Sequence, residues 1–230
     1  LKKRHNYDKF VTQKNKGSDM TISSDNIENI FRKNNTPEVF ARGYMDYLVE
    51  ITKKLDYQSI ERAILEFLKA RENEKSIFFI GNGGSAATAS HFANDLGVGT
   101  RTEGKHFKAI SLTDNSAVIT AMGNDYGYET IFTRQLKVLA RPGDIVVAIS
   151  ASGNSANVID GVRFAKDLGC TIIGLTGFDG GKLKILSDIS LHVPSEKGEF
   201  GPVEDFHMIF DHLIHAYVRF KVGDKSKMFV

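Results

Sequence analysis

Histidines and carboxylates at helical spacing are the groups in this chain best placed to do chemistry. His91 and Asp95 stand at i and i+4, on one face of a helix, where such a pair can hold a metal or pass a proton. Stepping about 100° per residue from Glu204, Glu204, Asp205, His207, Asp211, His212 and His215 fall on one half of a second helix. Phe206, Ile209, Phe210, Leu213, Ile214 and Tyr217 fill the other half, which is expected to pack on a sheet. A solvated face is ordinarily built from lysine and glutamate, so three histidines with three carboxylates point to acid–base or cation chemistry. The plain alternative for His91 and Asp95 is a surface hydrogen-bonded pair.

A second kind of chemistry lies in two turns that each follow an apolar run. Gly81-Asn82-Gly83-Gly84-Ser85 comes after Ser76–Ile80, and Ser150-Ala151-Ser152-Gly153-Asn154-Ser155 comes after Asp144–Ile149. At the carboxyl end of a parallel strand, the free N–H groups of the next helix and short hydroxyls converge on an anion. Ser85, Ser150, Ser152 and Ser155 supply the hydroxyls, while Gly83 and Gly84 let main chain approach without Cβ interference. One such turn is weak evidence, because Gly/Ser loops also serve as punctuation; two in the same context favour a phosphate site. Neither turn ends in the Gly-Lys-Ser/Thr of a Walker A loop, and Ala86 stands where a dinucleotide fingerprint needs glycine.

These groups need a scaffold, and the pattern supplies one. Strands are predicted at Ser76–Ile80, Phe107–Leu112, Asp144–Ile149, Cys170–Thr176 and Ile189–Val193, alternating with helices near 84–97, 115–122, 128–140, 155–168 and 202–220. The alternation predicts an α/β fold: a doubly wound, mostly parallel five-stranded sheet flanked by helices. Arg141-Pro142-Gly143 marks the turn that starts the third strand at Asp144. Two helices over about 37–70 form an N-terminal helical hairpin, whose Phe40, Tyr44 and Tyr47 are expected to be exposed for self-association. Residues 1–36 read as a polar leader expected to be mobile, 37–222 as one domain including the hairpin, and 223–230 as a C-terminal tail.

Composition narrows the function classes. At 230 residues and 41% hydrophobic content the chain can bury one full core. Its 30 Lys and Arg nearly balance 28 Asp and Glu, so no global field argues for nucleic acid and any anion must be recognised locally. No stretch is long and apolar enough for a membrane span. The single cysteine, Cys170, sits in an apolar run and reads as a buried thiol, which suits a cytoplasmic protein.

Taken together, these residues resemble the sugar isomerase (SIS) family over about residues 38–220, and within it the phosphoheptose isomerases. The carriers are Gly81-Asn82-Gly83-Gly84-Ser85-Ala86, His91-Phe92-Ala93, Gly123-Asn124-Asp125-Tyr126-Gly127, Arg141-Pro142-Gly143-Asp144, the Ser150–Ser155 turn and Thr176-Gly177-Phe178-Asp179-Gly180-Gly181-Lys182. The resemblance implies a flavodoxin-like SIS fold and conversion of sedoheptulose 7-phosphate to D-glycero-D-manno-heptose 7-phosphate through a cis-enediol. By the same resemblance Ser85, Ser150, Ser152 and Ser155 bind the phosphate, and Asn82, Asp114 and Glu204 touch the sugar. His91, Asp95, Glu204 and His212 take the acid–base and Zn²⁺ positions, with Asp95 as base and His212 exchanging the proton at oxygen. Two of these depart from the family pattern: Asp95 stands for glutamate and Glu204 for glutamine, and Gly201-Pro202-Val203-Glu204-Asp205 replaces the usual Arg-Ile-Gln-Glu. The family is also homotetrameric, and it includes non-catalytic members that bind phosphosugars or a replication initiator. The retained histidines and carboxylates favour the enzyme.

Overall fold

The structure, a computed structural model, describes residues 25–33, 36–102 and 104–223. Its strands are β1 Ser76–Gly81, β2 Lys108–Ser111, β3 Ile145–Ser150, β4 Thr171–Thr176 and β5 Ile189–His192. Its helices are α1 Asn26–Lys33, α2 Pro37–Thr52, α3 Tyr57–Glu72, α4 Gly84–Asn94, α5 Ser116–Tyr126, α6 Ile131–Leu139, α7 Ala156–Leu168, α8 Gly181–Leu186 and α9 Phe200–Val222. All five strands are parallel, in the spatial order β2-β1-β3-β4-β5.

Helices cover both sheet faces, so the central strands have no solvent side. Every residue of β3 is buried, and its sequence is an unbroken apolar run up to Ser150. Alternate side chains feed two cores. Ile77, Phe79, Ile145, Val147 and Ile149 meet α3, α4 and α9, while Phe78, Ile80, Val146 and Ala148 meet α6 and α7. The Arg141-Pro142-Gly143 turn is pinned by buried Asp144, whose carboxylate accepts from the Ser76 amide at 2.9 Å and the Arg141 amide at 2.8 Å. One side chain thereby aligns the starts of β1 and β3.

The chain leaves β1 toward one sheet edge to form β2, then returns past β1 to form β3. This reversal puts a topological switch point between the carboxyl ends of β1 and β3, where a crevice opens in folds of this type. The two Gly/Ser turns are the residues that follow those two ends.

Three expectations need correction. The leader does not run to residue 36, since Asn26–Lys33 is helix α1. Both the amide and the side-chain nitrogen of Asn26 donate to Glu199 Oε1, at 2.6 and 2.9 Å, and the Tyr47 hydroxyl donates to Glu199 Oε2. Glu199 is only 2% exposed, so these bonds are what make its burial tolerable. Residues 1–24 and 224–230 lie outside the described residues. On α2, Phe40, Tyr44 and Tyr47 are half-buried, because Phe40 packs on Phe31 and the two phenols reach Asp205 and Glu199; Met45 and Val49 are exposed instead. The apolar half of α9 is also turned from its expected setting. His207 and Asp211 are fully buried with Val203, Phe206, Phe210, Ile214 and Val218, whereas Ile209, Leu213 and Tyr217 are exposed.

Candidate active site

Two helices begin at the switch point without a side-chain cap. Gly83 precedes α4 with φ of 53°, a left-handed setting, and Ser155 precedes α7. The Gly84 and Ser85 amides of α4 and the Ala156 and Asn157 amides of α7 are therefore available to an anion, reinforced by the positive end of each helix, whereas the Ala86 amide donates to the Asn82 and Gly83 carbonyls and the Val158 amide to Asn157 Oδ1. Asn82, Ser85, Ser150, Ser152 and Ser155 line a cavity of about 110 Å³ between them, with Phe200 and Glu204 also in its wall. Ser150 Oγ lies 3.3 Å from Ser155 Oγ, and both Ser85 and Ser150 are buried. A larger cavity of about 500 Å³ shares Ser152 and Phe200 with it and carries Lys197 in its wall.

Asn82 and Asp114 are already engaged within the protein. The Asn82 side chain exchanges two 2.8 Å hydrogen bonds with Asn157 and accepts from the Tyr128 hydroxyl at 3.0 Å. Asp114 does not line the small cavity; its carboxylate accepts from Ser90 and Thr113.

Helices α4 and α9 run side by side in the same direction. Three contacts in ascending order define this: Gly84 with Glu204, His91 with His212, and Asp95 with His215. A Cβ at residue 84 would lie 2.7 Å from Glu204 Oε2, so only glycine lets that carboxylate rest over the start of α4. Seven residues farther along, about 10 Å of helical rise, His91 Nε2 stands 3.2 Å from His212 Nε2 and 3.5 Å from Asp95 Oδ2. Asp95 opens a short π-helical stretch, Asp95–Gly99, a widened turn that recurs at functional sites. Asp95 Oδ2 also meets His215 Nδ1 at 3.2 Å, which orients the carboxylate from α9.

Asp211 joins this group. One ligand atom each from His91, Asp95, Asp211 and His212 lies within 4.8 Å of all the others. Both Asp211 oxygens are buried without a hydrogen-bond partner, and Oδ2 is 4.0 Å from His91 Nε2. Burial, and then the charge of Asp95, push the Asp211 carboxyl up to about 8. Two imidazoles and two carboxylates suit a divalent cation such as zinc, whose ligand atoms in a tetrahedral site stand about 3.4 Å apart. The residues present therefore fit a metal, and the orphaned buried carboxylate is the observation that says so.

Of the residues expected to form one site, His91, Asp95 and His212 come together, and Ser85, Ser150, Ser152, Ser155 and Asn82 come together, with Gly83 and Gly84 forming the turn beneath them. Glu204 belongs to the second group in space and not to the first. Asp211 and His215 were visible only as members of a polar face. Their own i, i+4 spacing, matching that of His91 and Asp95, was the available signal.

The fold and the paired turns define a sugar isomerase class of protein, and comparison with known proteins agrees. The SIS domain family model matches residues 41–177, and the chain belongs to that family. Within it, the chain is 45% identical over 157 residues to the phosphoheptose isomerase of Aliarcobacter butzleri, covering 68% of this chain and 82% of that protein. It is 38% identical over 168 residues to the phosphoheptose isomerase of Helicobacter hepaticus, covering 73% and 85%. Among solved structures, phosphoheptose isomerase from Neisseria gonorrhoeae superposes with a TM-score of 0.71 at 31% identity, covering 80% of this chain and 98% of that one. Among the described residues no helix is long and apolar enough to cross a membrane.

Proposed function

We propose that this protein interconverts sedoheptulose 7-phosphate and D-glycero-D-manno-heptose 7-phosphate through a cis-enediol. The observation that carries the reading is the parallel pairing of α4 and α9. It sets an anion cradle and a histidine–carboxylate cluster about 10 Å apart along the helix pair. That separation is comparable to the span of an extended seven-carbon chain between its phosphate and its carbonyl end.

In this reading the dianion sits on Ser85, Ser150, Ser152, Ser155 and the two free helix starts, and its binding energy orients the far end of the sugar. Asp95 takes a proton from C1 of the ketose through Oδ1, the oxygen not turned to the two histidines. His212 gives a proton to the C2 oxygen as the enediol forms and removes the one on the C1 oxygen as it collapses, while Asp95 returns its proton to C2. A zinc ion, when bound, would polarise the carbonyl, held by His91 and His212 with Asp95 and a further carboxylate.

The protein is further read as a cytoplasmic homotetramer. Support for self-association comes from Ile209, Leu213, Tyr217 and Phe220, which form an exposed apolar stripe on α9 that a second copy would cover. Sedimentation at micromolar concentration tests it, and a monomer would contradict it. For the activity, a panel of five-, six- and seven-carbon ketose phosphates, with aldose phosphate products read by NMR, is the direct test. Turnover of the seven-carbon member above the others is expected, and no turnover of any member would refute the isomerase reading, leaving a phosphosugar-binding protein.

A further inference from the structure

We infer that Asp211, and not Glu204, completes the cation site of this chain, and that Glu204 faces the phosphosugar instead. The inference rests on the isomerase reading for its substrate and on geometry for its ligands. Asp211 is fully buried, has no hydrogen-bond partner on either carboxylate oxygen, and lies with His91, Asp95 and His212 inside a 4.8 Å group. A buried, unpartnered carboxyl is costly to ionise unless a positive charge meets it, so a cation at this point would meet an otherwise unsatisfied group. The three groups it faces are two imidazoles and one more carboxylate, which is a ligand set for a divalent ion.

Glu204 is turned the other way. It lies eight residues before His212 on the same helix, about 12 Å of rise. Side chains on a helix lean toward its N-terminus, so Glu204 leans away from His212 while Asp211 stands beside it. The Glu204 carboxylate rests over Gly84 and lines the serine cavity, where it can accept hydrogen bonds from a sugar hydroxyl next to the phosphate. The two carboxylates thus divide the work that the resemblance assigns to position 204 alone.

Cobalt(II) titration of the metal-free full chain, followed by visible absorption, separates the two carboxylates. Asp211→Asn is expected to weaken cobalt binding by at least about tenfold, the minimum seen when even an outer group of a metal site is lost. Glu204→Ala, which removes the side-chain oxygens altogether, is expected to hold cobalt within about twofold of the parent protein while weakening its affinity for the sugar phosphate. Unchanged cobalt binding in Asp211→Asn, or an equal loss in Glu204→Ala, overturns the inference. Should Asp211→Asn fail to fold, Glu204→Ala decides alone: cobalt retained supports the assignment and cobalt lost overturns it. A parent protein that isomerises the sugar but binds no cobalt refutes this ligand set and leaves the isomerase reading standing. One that binds cobalt through Asp211 yet converts no ketose phosphate refutes the isomerase reading alone.

Discussion

In the proposed reaction Asp95 and His212 carry the proton chemistry, and Ser152 carries only binding. That division has a kinetic signature. Asp95→Asn and His212→Ala should each lower kcat by at least about 100-fold with phosphosugar affinity roughly kept, as expected when acid–base work is lost. Ser152→Ala should raise KM and leave kcat near the parent value, because a hydrogen bond to a charged group contributes about 1.5–3 kcal/mol to binding. Normal turnover in both of the first two variants would remove them from the chemistry, and an unchanged KM would remove Ser152 from the cradle. His91, Asp95 and His212 were legible in the sequence as residue types at helical spacing. Asp211 was not singled out, because its role depends on how far α9 is rotated against α4, and that rotation is set by packing.

At the scale of elements, the anion cradle depends on how α4 and α7 begin. Gly83 has φ of 53° and no atom within 4 Å of where a Cβ would stand, so substitution there costs backbone strain and not a clash. Gly83→Ala should destabilise the fold by about 1–3 kcal/mol and weaken phosphate binding, read by thermal melts with and without inorganic phosphate. A melt unchanged from the parent would show that the left-handed turn is not required. The strands and most helices were legible from periodicity, because a sheet covered on both faces demands continuous apolar runs and β3 supplies one from Ile145 to Ile149. Helix α1 was not, since its anchor is Glu199, a residue 173 positions away from Asn26. The facing of α9 escaped for a similar reason: a helical wheel ranks side chains by polarity, yet His207 and Asp211 are buried by what lies opposite them.

At the scale of the whole molecule, one buried and one half-buried imidazole tie stability to pH. His207 is fully enclosed and desolvation, its largest influence, lowers it to about 4, with the Thr176 backbone opposing and His192 adding to the shift. His192 is also lowered to about 4, first by desolvation and then by Lys184, against Asp179. Between about 4 and the ordinary 6.5 the unfolded chain binds more protons than the folded one. The contribution of these two imidazoles is therefore full above about 6.5 and is lost as pH drops toward 4, while the raised Asp211 carboxyl acts in the opposite sense up to about 8. His192→Asn should flatten part of that fall in urea melts, and a slope equal to the parent's would exclude His192 as a source. The same fold places its crevice where strand order reverses, and in the proposed reaction a sugar phosphate bound there loses and regains a proton beside Asp95 and His212. The most direct measurement is NMR of sedoheptulose 7-phosphate incubated with the protein in D₂O. Resonances of the aldose heptose 7-phosphate are expected, with solvent deuterium at the carbon that receives the proton; an unchanged ketose, in a sample whose phosphate signal shows the cradle occupied, would rule the reaction out.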